Sequence, residues 1–213
     1  MRGDAGVPLL EVDAGTSALR IDTHPDDDSA LGSFGVSLAS GNMAAGLAAD
    51  AEVFFFRWTH PSIVASIQRV RMWAGGIAEF TAGRYRFELL LARGWSSHSA
   101  SGTTASMTGD SGKKRVGSAS SQVAAIEIAS TAALTAGTKA IDAQGVGSVG
   151  GSTRGFGSFA EKLITPSGEL FRYGGEAHAI VLRRNEGLVL TATVPASGTW
   201  RFGVDVEWCE LAV

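Results

Sequence analysis

Two catalytic motifs are suggested by one short stretch of the chain, but both lack the residues that their chemistry needs. The run Gly109-Asp-Ser-Gly112 has the form found around a nucleophilic serine. Such a serine needs a histidine base oriented by an aspartate, and no histidine stands in a matching context upstream. The stretch also fails as a phosphate-binding loop, because Met107 replaces the first glycine and Lys114 replaces the magnesium-binding hydroxyl. The run therefore favours a polar turn, and we expect no enzymatic activity.

The histidines and acidic residues form no metal-binding pattern. The four histidines are scattered, without the spacing of a zinc site, at His24, His60, His98 and His178. Three consecutive carboxylates have the oxygen ligands that calcium prefers, and they are Asp26, Asp27 and Asp28. No glycine-centred calcium loop accompanies them. We therefore predict no metal and no cofactor, and we interpret this acidic triplet as part of a solvated arm.

The composition is that of a folded chain with one acidic end. Of 213 residues, 45% are hydrophobic and 18% are charged, which is typical of a globular protein. Residues 1–30 hold two arginines and seven carboxylates, a net charge of −5, whereas residues 31–213 carry +2. The overall charge of −3 argues against direct nucleic-acid binding. The asymmetry suggests an acidic arm that docks on a mildly basic body.

Neither a disulfide nor a targeting segment is indicated. Cys209 is the single cysteine, which excludes an internal disulfide. The first residues lack a basic segment followed by an apolar core, and no apolar run reaches membrane-spanning length. We expect a protein made in the cytoplasm, without a membrane partner.

The elements that position these residues are predicted most clearly near the end of the chain. Phe202, Val204, Val206 and Trp208 alternate with charged residues, which is typical of a half-buried antiparallel strand. A second alternating run covers residues 188–194, and turn residues separate the two runs. We therefore predict that the two strands form a β-hairpin.

Further strands are predicted by apolar runs bounded by turn residues, at 34–38, 51–59, 63–73, 84–93, 123–129, 134–141 and 177–182. The run 51–59 is apolar on both faces, as in a strand at the centre of a sheet or at a subunit interface. The Ser/Gly-rich residues 95–122 are either a functional loop or hold a short strand. The pattern predicts an all-β fold, an antiparallel β-sandwich or jelly roll over 31–213 with long Gly/Ser-rich loops, preceded by an extended acidic arm over 1–30.

Pairing of the strands 63–73 and 84–93 in a hairpin would bring four arginines together. Arg69 would face Arg86, and Arg71 would face Arg84. Like charges directly opposite each other repel unless carboxylates meet them. We predict that this patch and the acidic triplet of the arm bind a partner or a neighbouring subunit.

Three segments resemble a family of tailed-bacteriophage and prophage virion structural proteins. They are Phe-Phe-Arg-Trp-Thr at 55–59, the run 126–138, and the run 185–208, which ends in Arg-Phe-Gly-Val-Asp-Val-Glu-Trp. The resemblance covers the chain from about residue 31 to its end, whereas the arm and the middle loops depart most. It implies a component of the virion and supplies no catalytic residues.

On this resemblance we expect a virion protein, assembled in the host cytoplasm, that acts as a capsid decoration (cement) protein. Its partners would be the major capsid protein or other virion subunits, and a homodimer or homotrimer is expected. The alternatives are a tail, head-fibre or adaptor component, or a carbohydrate-binding β-sandwich module for host attachment. An exposed row of tryptophans would favour the carbohydrate module, and five buried ones would exclude it. An enzyme would need a cleft with His98 or His178 beside a carboxylate.

Overall fold

The protein is an antiparallel β-sandwich. The computed structural model describes residues 11–12, 19–20, 31–98, 101–115, 117–153, 167–174 and 178–212. In these residues the chain forms fifteen strands in antiparallel sheets and no helix. None of the described segments is therefore a helix long and apolar enough to cross a membrane. The predicted all-β sandwich is confirmed.

Seven strands form sheet I: β5 (Ala51–Trp58), β7 (Gly83–Ser97), β8 (Thr103–Thr104), β9 (Ala125–Ile128), β10 (Thr138–Ile141), β11 (Gly147–Thr153) and β14 (Glu186–Thr193). Their order is β10–β7–β14–β5–β9–β8, and β11 also pairs with β7.

Six strands form sheet II: β3 (Gly32–Ala39), β4 (Met43–Ala44), β6 (Ile63–Ala78), β12 (Ser167–Arg172), β13 (Ile180–Leu182) and β15 (Thr199–Ala212). Their order is β12–β6–β15–β3, with β13 on β6 and β4 on β15.

The hydrophobic core lies between the two sheets and follows the alternation of the strands. The apolar residues of β15 that share one parity, Phe202, Val204, Val206 and Trp208, are all buried, as predicted. Trp208 meets Phe56 of sheet I edge to face, with ring centroids 5.0 Å apart. Full burial of a large apolar side chain stabilises by roughly 1.5–3 kcal/mol, so this aromatic contact helps to hold the two sheets together.

The predicted hairpin of the last two strands is wrong, although both strands exist. β14 pairs with β5 and β7 in sheet I, whereas β15 pairs with β3 and β6 in sheet II. The connection between them therefore crosses from one sheet to the other. Alternation shows which face of a strand is apolar. It does not show whether two successive strands pair side by side or face each other across a core.

The same error affects the predicted hairpin of β6 and β7. β6 belongs to sheet II and β7 to sheet I, so the two strands share no hydrogen-bonded ladder. Phe80, in the connection between them, is buried, and Gly198 of the β14–β15 connection lies directly against its ring. Both crossings thus meet at the same end of the sandwich.

Both faces of β5 are buried within this single chain. Phe54 and Phe56 face the core, while Phe55 points to the other side and packs against Trp95, with ring centroids 5.3 Å apart. Residues 95–139, which we call the excursion, run over this outer face, and Leu134 is buried there. The doubly apolar strand is therefore covered by its own chain and does not require a subunit interface.

The excursion also covers an edge of sheet II. Gly35 N donates to Gly112 O at 2.8 Å, and Lys114 N donates to Ser33 O at 2.9 Å, so residues 112–114 run along β3 as a short extra strand. Covering an edge in this way removes a template for unwanted strand pairing. Residues 95–122 contain the short strand β8, which was one of the two alternatives for that stretch, and β9 lies within the strand predicted at 123–129.

Only two short pieces of the acidic arm are described. β1 (Glu11–Val12) pairs with β2 (Leu19–Arg20) in a small sheet separate from the sandwich. The acidic triplet at 26–28 lies outside the described residues.

Candidate functional site

The outer face of sheet II presents rows of charged side chains. Alternate residues of β6 point away from the core, and the pairing with β15 places Glu207 opposite Arg69. Asp205 lies opposite Arg71 in the same way. β12 adds one charged residue to each of these rows. We call this surface the charged face, and its residues are Arg69, Arg71, Trp73, Glu169, Arg172, Asp205 and Glu207.

The arginines of β6 are already paired within the chain. Arg69 donates to Glu207, and Arg71 donates to Asp205 at 3.4 Å. Lys114 of the excursion binds the second oxygen of Glu207, with Nζ and Oε2 2.6 Å apart. Cross-strand pairs of opposite charge contribute roughly 0.2–1 kcal/mol each. These contacts join β6, β15 and the excursion.

The predicted patch of four arginines does not form. Arg69 and Arg71 lie on sheet II, whereas Arg84 and Arg86 lie on sheet I opposite small residues of β11. The cause is the crossing between β6 and β7, which places the two pairs on different sheets. Arg86 forms an ion pair with Glu88 of its own strand. Partner binding by these arginines and by the acidic triplet stays a prediction.

Glu207 is the most strongly bound carboxylate of the charged face. Its burial by itself raises the pKa, but the hydrogen bonds from Lys114 and Arg69 outweigh that effect, so the pKa of Glu207 lies below its ordinary value. The ionised form is therefore favoured in the folded protein, and its charge contributes to stability at neutral pH.

Trp73 is the one tryptophan on the charged face, and it is 42% exposed. The other four are buried, at positions 58, 95, 200 and 208. The predicted core positions of Trp58 and Trp208 are confirmed. The five tryptophans thus form neither an exposed row nor a fully buried set.

A second group of charged residues lies under the excursion, on the outer face of sheet I. Lys139 Nζ is 2.8 Å from Glu52 Oε2, and the two side chains are only 3% and 5% exposed. The ammonium group also lies 4.5 Å from the centre of the Trp95 ring, where the ring quadrupole attracts a cation. Burial raises the pKa of Glu52, and the hydrogen bond from Lys139 opposes that rise. The pair is thus a desolvated ion pair next to an aromatic ring.

Two more polar contacts complete this group. The Glu127 carboxylate, 1% exposed, accepts a hydrogen bond from Gly102 N. Arg57 donates to Nδ1 of His98 at 2.9 Å and to the carbonyls of Trp95 and Ser96. Burial lowers the pKa of His98, and the positive charge of Arg57 lowers it further. His98 is therefore neutral at neutral pH and serves as an acceptor.

These contacts connect parts of the same chain. Glu52, Arg57 and Glu127 belong to the strands β5 and β9, and their partners lie along or beside the excursion. Such an arrangement can hold the excursion against sheet I. Within the described residues, no group of three or more histidine, cysteine, aspartate or glutamate side chains is placed to hold a metal ion.

Sequence reasoning missed the buried charges and the exposed tryptophan, although signals for both exist. Glu127 interrupts the apolar strand Ala-Ile-Glu-Ile, and a carboxylate at such a position indicates a buried partner. Trp73 has the same parity as Arg69 and Arg71, which places it on the outer face of the strand.

Comparison with known proteins finds no relative: no protein-family model, no curated protein and no solved structure matches the chain.

Proposed function

We propose that the chain is a structural protein of a tailed-bacteriophage virion, and that it binds the assembled head as a decoration protein. The observation that carries the proposal is the position of the three segments with virion-like sequence. Segments 55–59 and 126–138 include parts of β5 and β9, and segment 185–208 includes β14 and much of β15. β14, β5 and β9 are consecutive neighbours in sheet I. Segments far apart in the sequence thus form one continuous part of the scaffold.

The regions that depart from the family lie around this scaffold. The arm precedes the sandwich, and the part of the excursion before residue 126 runs along the edge of sheet II at residues 112–114. Binding residues are disproportionately found on variable segments that a rigid scaffold holds in place. A common scaffold with variable covering segments would allow members of one family to dock on different particles, and this supports the proposal.

In a decoration protein, binding is thermodynamically linked to the stability of the assembled lattice. Because it binds the assembled lattice and not the separate subunits, it stabilises that lattice by mass action. We assign the docking role to the acidic arm, since the arginines of β6 are already paired within the body. A dimer or trimer would have to use a surface other than the two faces of β5, which are buried in the single chain.

The test uses particles assembled without this protein. We expect them to form with normal diameter and to release DNA at a lower temperature than complete particles. Adding the purified full chain should restore the resistance and saturate at a fixed number of copies per capsomer. A chain lacking residues 1–30 is the matched control, and it should fold but restore nothing.

Three outcomes would contradict the decoration role. If particles without the protein were as stable as complete particles, the decoration role would be wrong. If host attachment were lost at the same time, a tail, head-fibre or adaptor role would replace it. Failure to form any shell would show a primary structural subunit.

A further inference from the structure

Trp73 differs from the other tryptophans in its hydrogen bonding as well as in its exposure. Each buried indole donates its N–H to an acceptor of the protein: Trp58 to Ile63 O at 2.7 Å, Trp95 to Ser97 O at 3.0 Å, Trp200 to Ala44 O at 3.3 Å and Trp208 to Glu210 Oε1 at 3.2 Å. Among the described residues, none accepts a hydrogen bond from the indole of Trp73. Its N–H group thus has no acceptor in the part of the chain that the structure describes.

Two glycines, Gly203 and Gly75, leave room for the indole of Trp73 to lie close to the backbone of sheet II. Gly203 of β15 is directly opposite Trp73, and a Cβ at position 203 would lie 2.6 Å from Cε2 of the indole. Gly75, two residues further along β6, has open space where its side chain would be. The ring thus lies against Gly203 of β15, while 42% of the residue stays exposed. A larger residue at position 203 would lift it.

Polar groups surround the exposed ring. A shallow depression of about 340 Å³ is lined by Trp73 together with Arg71, Ser167, Glu169 and Asp205. Arg71 and Asp205 are joined by a long hydrogen bond of 3.4 Å, which leaves donor and acceptor positions on both groups. Glu169 is exposed and has no ion-pair partner among the described residues. Donors and acceptors are thus arranged around one apolar platform.

This combination fits one class of ligand. A pyranose ring has an apolar face of C–H groups, which can stack on an aromatic face, and a rim of hydroxyls that both donate and accept hydrogen bonds. The two carboxylates outnumber the single guanidinium, so the depression disfavours acidic ligands. We propose that Trp73, with Arg71, Glu169 and Asp205, binds a neutral pyranose unit of a glycan.

The site does not depend on the decoration role. It uses the outer face of sheet II, whereas the decoration proposal rests on the scaffold sequence and on the arm. If both hold, the particle would carry one glycan-binding depression for each copy of the chain.

The experiment measures binding of the purified full chain to a panel of neutral oligosaccharides built from hexoses and N-acetylhexosamines. Trp73 is the only exposed tryptophan, so acrylamide quenching of the intrinsic fluorescence reports chiefly on it. A bound sugar should reduce that quenching. Trp73→Ala should weaken binding at least about tenfold, because tryptophans at the centre of a binding site typically dominate its affinity.

Two further variants separate the position of the ring from its presence. Gly203→Ala keeps the indole but lifts it from the sheet, and it should weaken binding several-fold. Val181→Ala is the matched control, since Val181 is 43% exposed on another strand of sheet II, and it should bind as the unaltered chain does. Circular dichroism of each variant checks folding.

Absence of binding across the panel would overturn the proposal, and so would binding that Trp73→Ala leaves unchanged. If Trp73→Ala instead abolished attachment to particles while no sugar bound, the face would be a protein-docking surface and the glycan site would be wrong. Loss of particle binding by the arm deletion alone would leave the glycan site unaffected.

Discussion

Two buried glutamates, Glu52 and Glu210, hold the excursion to the rest of the sandwich, and a third, Glu127, joins two segments of the excursion itself. Glu52 binds Lys139, Glu127 accepts from Gly102 N, and Glu210 accepts from Gln122 N at 3.0 Å. Glu52 and Glu210 project from strands outside the excursion and bind residues of it, whereas Glu127 and Gly102 both lie within it. Hydrogen bonds to charged groups contribute about 1.5–3 kcal/mol. Buried carboxylates therefore fix this long segment to the strands of the sandwich.

The Glu52–Lys139 pair is expected to be sensitive to loss of one partner. Lys139→Met leaves the Glu52 carboxylate buried without its counter-charge, and removing one member of a buried ion pair typically costs about 3–5 kcal/mol. We expect a loss near the lower end of that range, because the pKa of Glu52 is already raised by burial and the group can take up a proton. Urea denaturation at pH 7 measures the free energy of unfolding.

Two controls identify the cause of that loss. Glu52→Gln combined with Lys139→Met should recover at least half of it, since no buried charge then remains. Arg93→Met removes a cation with two carboxylate partners, Asp142 and Glu186, but its side chain is 54% exposed. That variant should lose far less stability than Lys139→Met, because exposed ion pairs contribute little. Equal losses in Arg93→Met and Lys139→Met would contradict the role assigned to burial.

Glu207 is expected to make stability depend on pH. Its pKa is lower in the folded chain than its ordinary value of 4.5, so its contribution is fully present above that value and is lost as the pH falls through the folded pKa. Glu207→Gln should therefore lower the free energy of unfolding by about 0.5–1 kcal/mol at pH 7 and by much less near pH 3. Urea denaturation at the two pH values provides the comparison. A deficit that does not shrink on acidification would contradict the assignment.

The strands themselves could be predicted because the alternation of apolar and polar residues lies within each strand. Alternation identified β15 and its buried face, and the apolar run at 51–59 identified β5. β11 is not among the predicted strands, because residues 145–157 are rich in glycine, which weakens a strand pattern. There the glycines fit the pairing, since a side chain at Gly150 would lie 2.7 Å from Tyr85 O of the neighbouring strand.

Strand partners and the candidate sites could not be predicted in the same way. The partner of β14 or β15 is decided by packing across the core between residues far apart in the sequence, and turn residues occur in hairpins and crossings alike. The patch of four arginines was wrong for this reason. The pairing of Trp73 with Gly203 likewise needs the register of β6 on β15, which the pattern of either strand alone does not contain.

The β14–β15 crossing has one position where glycine is needed. Gly198 has a φ of 121°, and a side chain there would lie 2.7–2.9 Å from the Phe80 ring. Gly198→Ala should therefore lower the free energy of unfolding by about 1–3 kcal/mol, measured by urea denaturation. The matched control is Gly117→Ala, because Gly117 has no positive φ and no atom within 4 Å of an added Cβ. If both variants were equally stable, the crossing would tolerate a side chain.

At the scale of the whole molecule, the arm is expected to be dispensable for folding. The described strands of the arm, β1 and β2, pair with each other and not with either sheet of the sandwich. Deleting residues 1–30 should therefore change the melting temperature by less than about 4 °C, which corresponds to about 1 kcal/mol for a chain of this size. Differential scanning calorimetry measures the change. Loss of the cooperative transition would show that the arm contributes to the core.

The central position of β14 and β15 has a consequence for synthesis of the protein in the cell. Each is an inner strand of its sheet, flanked on both sides by strands that precede it in the chain. Because the ribosome makes β14 and β15 after the other strands of the sandwich, sheet I stays incomplete until β14 has been made, and sheet II until β15 has been made. Strands β5 and β7 must wait for β14, and β3 and β6 must wait for β15. The sandwich can therefore close only after β15 has been made, and a chain truncated before residue 186 exposes the apolar faces of both unfinished sheets to aggregation.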